Sequence, residues 1–356
     1  MPVISLPGGP RRRWIWGLGA GVLVAAVVAA LVVAGGSGSS PLAPPGSSPP
    51  ENRAAPEKFP LTGLPVDDAA RAARPALSLK VENVAAARPQ AGLNAADLVT
   101  EQLVEGGLTR LLVTYQSKDA ALVGPVRSVR PVDAPLLREL GGGLFGFSGG
   151  SAGVLAEVRR TSGATFLEPG RAAGAYHRVA GRPAPHNLFT STAGLYQAGR
   201  TADGGLGPPP ELFTYDEAAP AGARLLSRAR LRFSPSSRAA WQWDAGAGSF
   251  VRYQDGTLQR EEGGARITTE NVVILHVAIG STSNVDAAGN VTPDVKVVGE
   301  GAAWVLRDGK LVTGRWRRPA ASEPVQLLGS DGAAIALHPG RTWMELLPER
   351  APPAFG

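Results

Sequence analysis

Residues 14–35, WIWGLGAGVLVAAVVAALVVAG, form an uncharged apolar run of about the ~20 residues that a helix needs to cross a bilayer. Nothing else in the chain constrains it as strongly, because such a run has no place in an aqueous fold of this size. Arg11, Arg12 and Arg13 stand immediately before it, and the next charges are Glu51 and Arg53. The positive-inside rule then predicts a single-pass anchor with the N-terminus in the cytoplasm and the bulk of the chain outside the membrane. Trp14 and Trp16 fall where an interfacial aromatic belt is expected. A cleaved signal peptide is the rival reading, but VVAGG is a poor cleavage site and the apolar region is long for one.

The anchor divides the rest. Residues 1–13 read as a cytoplasmic basic tail. Residues 36–58, GSGSSPLAPPGSSPPENRAAPEK, offer too little apolar surface to offset ordering entropy and read as a Gly/Ser/Pro linker. The remaining length exceeds what one hydrophobic core usually supports, so two lobes are expected, 59–205 and 211–350, separated by ADGGLGPPPE. The formal charge of +6 suggests a polyanion binder, yet three N-terminal arginines supply half of it. No Lys/Arg stripe interleaved with aromatics follows, which argues against nucleic acid. The chain has no cysteine, excluding disulfides, thiolate metal sites, a Cys nucleophile and a lipid-modified Cys. No metal or cofactor is expected.

In the first lobe, PALSLKVEN, TRLLVTYQS and GLFGF read as strands, and APLLREL, SAGVLAEVRR and TSTAGLYQAGR as helices. NAADLVTEQLVEGG (94–107) carries helix punctuation, with Asn94 as N-cap and Gly106 past the end. This alternation predicts an α/β lobe. In the second lobe, three Asp-Gly pairs between apolar runs signal hairpins, NVVILHVAIG suits a central strand, and charged clusters are scarce. The expected class is α+β: an anchor helix, an α/β lobe, then a mostly β lobe.

A helix over 95–105 would place Asp97, Glu101 and Glu105 on one stripe, where like charges repel. A cationic partner is therefore expected, and Arg88, Arg110, Arg127 and Arg130 lie in flanking segments. The last two belong to LVGPVRSVRPVD, two cations among valines. Three arrangements fit: an internal salt-bridge network, a pocket where surplus guanidinium donors bind an anion, or paired carboxylates for acid–base chemistry.

Gly146, Ser148 and Gly150 match G-x-S-x-G between a strand and a helix, the setting of a nucleophile elbow. A structural glycine turn, or a loop presenting N–H groups to an anion, fits as well, and the partners of Ser148 are unidentified among His177, His186, His276 and Asp216. His186 and Asn187, after the stiff PAP, could contact a ligand or cap the next helix. His276 inside its apolar strand reads as a satisfied core histidine.

FPLTGLPVDD, RPALSLKVEN, ARPQAGLNAADLVTEQLVEGGLTRLLVTYQS, VGPVRSVRPVD, FSGGS, APHNLF, DGKLVTGRW and LHPGRTWMELL together resemble the YerB-like family of bacterial envelope proteins. The resemblance runs from about Phe59 to Pro348. It implies paired N- and C-terminal domains of unknown function, export, often as lipoproteins, and no established reaction. It also implies a polar motif set: Glu82, Asn83, Arg88, Gln90, Asp97, Glu101, Glu105, Arg110, Arg127, Ser128, Arg130, Asp133, His186 and Asn187. The chain departs from lipoprotein members in having no Cys to lipidate. The expected activity is binding of an anionic cell-wall component or an envelope protein through Arg88, Arg110, Arg127, Ser128, Arg130, His186 and Asn187. The alternative is a cell-wall hydrolase using Ser148, or Asp97, Glu101 and Glu105.

Overall fold

The computed structural model describes residues 57–202, 205–286 and 289–356; the basic tail, the 14–35 run and the linker up to residue 56 lie outside them. Among the described residues no helix is long and apolar enough to cross a membrane. The described chain is mixed α+β, dominated by strands, with few and short helices.

An 11-stranded sheet runs in the order Gln326–Leu328, Lys310–Arg318, Gly299–Arg307, Asn271–Val277, Thr342–Pro348, Leu98–Leu103, Thr109–Tyr115, Leu77–Glu82, Leu144–Gly146 and Thr165–Phe166, with Arg224–Leu225 beside Lys310–Arg318. The 342–348 strand lies parallel to both 271–277 and 98–103, so the stretches 59–205 and 211–350 share one sheet. A 6-stranded sheet is built on Arg228–Arg232, Arg238–Asp244 and Ser249–Gln254.

Every residue of the 77–82, 98–103, 109–115 and 342–348 strands is buried, as expected of strands covered on both faces. Alternate side chains enter different cores. Val99, Leu103, Trp343 and Leu347 pack with Trp241, Phe250 and Ile267 of the smaller sheet. Leu98, Met344 and Leu346 pack with Phe145, Phe147 and the helix residues Val154 and Val158.

The helix expected over 94–107 is instead the strand Leu98–Leu103 between two 3-10 turns. A four-residue spacing is close to the helical period and is also even, so Asp97 and Glu101 share a side of a strand as readily as of a helix. Burial on both faces removes the polar/apolar alternation that would have identified the strand. Asn94 is no N-cap; its side chain donates to the Arg266 carbonyl and accepts from the Thr268 amide. Gly106, at φ +66°, turns the chain after the strand. The first half is accordingly an antiparallel trio, with 109–115 between 77–82 and 98–103, extended by two parallel strands, rather than a β–α alternation.

The other elements fall where expected: helices at Asp133–Glu139, Ala152–Thr161 and Thr192–Ala202, and a central strand at Asn271–Val277. Asp255-Gly256 and Asp308-Gly309 make tight hairpins with left-handed φ at both positions, as that turn type requires. Asp331-Gly332 sits in a wider loop closed by the Leu328–Ala334 bridge.

The two sheets enclose charge. Glu101, Arg252 and Glu345 have fully buried side chains, and Arg252 is ion-paired with both carboxylates. Its guanidinium lies over the rings of Trp343 and Trp241, 4.3 and 5.1 Å from their centroids. Two carboxylates share one cation, and burial, with Glu101 alongside, pushes the Glu345 carboxyl up to about 8. Its Oε1 accepts from Arg252 and Trp241, whereas Oε2 meets no donor, which suits an oxygen that carries the proton itself. Burial likewise pushes Glu139 up to about 7.

Both groups hold a proton in the folded state that the unfolded chain releases above its ordinary carboxyl pKa. The contribution of these two groups to stability should therefore fall as pH rises from about 5 to about 8, by at most ~1.4 kcal/mol per unit for each, and level off above. Urea unfolding across that range checks this, and Glu345→Gln should visibly flatten the slope. An unchanged slope would mean that Glu345 is ionised in the fold.

Candidate functional site

LVGPVRSVRPVD crosses the end of the large sheet as an extended segment tied on both sides. Glu82 N–H donates to the Pro125 carbonyl and Arg127 N–H to that of Lys80. On the other side Val126 N–H reaches Leu188, Ser148 N–H reaches Arg127 and Val129 N–H reaches Gly149. Val123, Val126, Val129 and Val132, three residues apart, are all buried. The arginines lie between them, at the border of the core.

Three carboxylates meet these cations, each from a different element. Glu82, at the end of its strand, has Arg127 Nε at 3.0 Å and His186 Nδ1 at 2.7 Å. Glu105, in the turn after the 98–103 strand, accepts on one oxygen from Arg130 Nε and Nη2 at 2.7 and 2.5 Å, and on the other from Thr292 at 2.6 Å. Burial pushes the Glu105 carboxyl up, but the hydrogen bonds from Arg130 and Thr292 outweigh it and hold the group below its usual range. Asp133, opening its helix, accepts from Lys80 at 2.8 Å, Gln102 at 3.0 Å and the Arg130 amide at 2.7 Å.

Arg110 is left over. It lies opposite Glu82 in the strand register, yet among the described residues no carboxylate lies within ion-pair distance of it. Its one hydrogen bond is from Nη1 to the Ser128 carbonyl at 3.2 Å, and its buried Nε has no partner. Burial, together with the neighbouring Arg130 and Arg127, lowers its pKa to about 9, so it is still a cation at neutral pH. The cluster thus sets Lys80, Arg110, Arg127 and Arg130 against Glu82, Glu105 and Asp133, an excess of one positive charge before His186 is counted.

Beside the cluster opens a cavity of about 270 Å³, lined by Glu105, Ser128, Arg130, Gly150, Ser151 and Thr292 among others. Ser151 caps the Ala152–Thr161 helix, whose N-terminus borders the cavity. Gly149 and Gly150, at φ +87° and +157°, let the FSGGS loop run against Ser128 and Val129. A glycine turn held against the arginine segment is what this loop is. An anion in the cavity would meet the Arg130 guanidinium, the hydroxyls of Ser128, Ser151 and Thr292 and a helix N-terminus, which favour negative charge, against the carboxylates of Glu105 and Asp286 in the same lining.

Of the residues expected at the site, Arg110, Arg127, Ser128, Arg130, His186 and Glu105 come together. Arg88 does not: it binds the Asn83 carbonyl and Asp255, at 2.7 and 2.8 Å. Asn187 accepts from Arg178. The acidic stripe disperses: Asp97 is fully buried on the amides of Gln116 and Ser117 and the Ser117 hydroxyl, and Glu101 is in the core with Arg252. Ser148 precedes its helix by a further turn and does not sit on a strand-to-helix elbow. Among the described residues its hydroxyl has no histidine or carboxylate bonded to it, and His177 is exposed on another strand. His276 is only half-buried, stacked edge-on to Trp304, with Nε2 unpartnered, so it is not the satisfied core residue expected. Lys80 and Thr292 are the additions, and Asp133, already in the polar motif set, joins the cluster. A lysine inside LSLKV, apolar but for Ser78, was the available signal for Lys80; Thr292, some 160 positions downstream of Arg130 in the sequence, had none.

A model described as the N-terminal domain of a protein of unknown function, DUF3048, matches residues 61–204, and the corresponding C-terminal domain matches residues 229–344. A Bacillus subtilis (strain 168) protein named "Putative lipoprotein YerB" is 29% identical over 299 residues, 82% of this chain and 86% of its own length. The crystal structure of the Bacillus subtilis YerB protein superposes with a TM-score of 0.72 at 24% identity, covering 83% of this chain and 99% of that one. That likeness shows the fold.

Proposed function

Because this chain belongs to the YerB-like family, with paired N- and C-terminal DUF3048 domains, we propose that it is a membrane-attached, extracytoplasmic binding protein that takes an anionic envelope ligand at the Arg110–Arg127–Arg130 cluster. The name of the Bacillus subtilis relative, a lipoprotein, supports membrane attachment. This chain has no cysteine to lipidate, so the tether falls to the 14–35 run, entering from the cytoplasmic side as the flanking charges predict. Protease accessibility in intact cells tests that location separately from binding.

The single observation that carries the binding reading is Arg110. A buried guanidinium without a carboxylate costs stability, and residues that cost stability are characteristic of sites kept for binding. Arg110→Met should therefore raise unfolding stability by roughly 1–2 kcal/mol and weaken binding of inorganic phosphate or purified anionic wall fractions by about tenfold or more, ~1.4 kcal/mol. Chemical denaturation and titration calorimetry on residues 54–356, the compact unit that holds both sheets, read the two effects. A variant that loses stability, with binding unchanged, would make Arg110 a structural cation and sink the proposal.

A further inference from the structure

The second half of the chain, expected to lack charged clusters, carries one that no carboxylate answers. In RARLR, the strand Arg228–Arg232, period-two alternation sends Ala229 and Leu231 into the core and leaves Arg230 and Arg232 exposed, with Arg228 partly so. The register with Arg238–Asp244 sets Arg238, also exposed, directly opposite Arg232. Like charges facing each other across a strand pair destabilise it, so folding gains nothing from the arrangement. None of the four has a carboxylate within ion-pair distance among the described residues. Asp255 borders the same hollow, but its oxygens are taken by the Arg238 amide at 2.9 Å and by Arg88 at 2.8 Å. The hollow between the arginines measures about 410 Å³.

We infer that this face of the smaller sheet binds a linear phosphodiester polymer of the cell envelope, independently of the Arg110 cluster. Alternate residues of a strand lie about 6.8 Å apart, so Arg228, Arg230 and Arg232 form a straight row of guanidinium forks suited to successive anionic groups at a similar pitch, each with two acceptor oxygens. The neighbouring side chains decide the class. Between the arginines lie Ala240, Gln242 and Ala354, and the one ring nearby, Tyr253, is covered by the Arg228 guanidinium 5.1 Å from its centroid. A sugar-ring polymer or nucleobases would find no aromatic platform, and a bilayer would find no exposed aromatic, Leu, Ile or Val side chain among the residues lining the hollow. What remains is recognition of a charged backbone. The choice of an envelope source rests on the extracytoplasmic reading above; the binding chemistry does not.

The test is titration of purified poly(glycerol phosphate) into the 54–356 protein and into Arg230→Gln/Arg232→Gln. Both substituted residues are exposed, so the fold should be untouched. Wild-type affinity should fall on the order of 50-fold between about 50 and about 200 mM salt if four contacts are made, and only about sevenfold in the double variant. The double variant should bind at least tenfold more weakly at low salt. The charge-matched control Arg315→Gln/Arg317→Gln, on the other sheet, should bind as wild type. No binding, equal binding by the Arg230/Arg232 variant, or an equal loss in the control would overturn the inference. So would tighter binding of oligothymidylate, polygalacturonate or phosphatidylglycerol vesicles than of the glycerol polymer. A loss caused instead by Arg110→Met would assign the polymer to the first cluster and likewise overturn it.

Discussion

Arg252→Met is expected to lower the unfolding free energy by about 3–5 kcal/mol. Arg252 is the only cation touching Glu101 and Glu345 among the described residues, and all three side chains are out of water. Without it, Glu101 faces an apolar environment with Asn83, at 2.9 Å, as its remaining donor, and Glu345 keeps Trp241 alone, at 2.7 Å. Glu101 must then also take up a proton to stay buried beside the already protonated Glu345, so the variant should be least stable above neutral pH and recover toward pH 5. The loss belongs to the broken pair and not to the arginine as such. The triple change Arg252→Met/Glu101→Gln/Glu345→Gln should regain most of the stability, since apolar or neutral replacements of a buried ion group are often tolerated. Denaturant midpoints for the three proteins decide it, and a loss below about 1 kcal/mol in the single variant would mean that water reaches the network.

Asp133→Ala should cost a similar amount, about 3–5 kcal/mol, with a second effect at the cluster. Lys80 and Asp133 are wholly buried 2.8 Å apart. Burial already lowers the Lys80 pKa to about 8, with Asp133 opposing that shift. Removing the carboxylate strands the ammonium, leaves the Gln102 amide without its acceptor and frees the Arg130 backbone N–H. Lys80→Met/Asp133→Leu should restore much of the stability, because no charge is then buried, but not the affinity for phosphate, because Arg130 stays untied from the helix start. Recovery of both in the double variant would show that Asp133 acts only through Lys80.

LVGPVRSVRPVD shows how far sequence reading reaches. The valines at three-residue spacing and the arginines between them announce a segment at a core border, and the need for carboxylate partners is plain. Which carboxylates serve is not. The stripe 97–101–105 was expected as the counterpart, yet only Glu105 takes part, on Arg130. Glu82 and Asp133 supply the rest, because the strand 77–82 and the helix start at 133 converge on one end of the sheet. Asp97 and Glu101 leave the group as soon as 98–103 becomes a strand, since its neighbours set what each one faces. Arg228, Arg230 and Arg232 were equally visible as alternating residues. That no carboxylate pairs with them among the described residues could not be seen until Arg238 was placed across the register and Asp255 was found occupied.

By itself the sequence determined what depends on neighbours along the chain. The apolar length of 14–35, the linker composition, three of the longer helices, the Asp-Gly hairpins and the absence of cysteine chemistry are all of this kind, because periodicity, turn propensity and charge flanks act over a few residues. Tertiary structure alone decided that 98–103 is a strand, that both halves share one sheet, and that Arg252 holds Glu101 and Glu345. It also decided which guanidinium is left over. Pairing of buried charges is a property of which strands come to lie side by side, and partners 104 or 187 positions apart leave no mark in the local pattern.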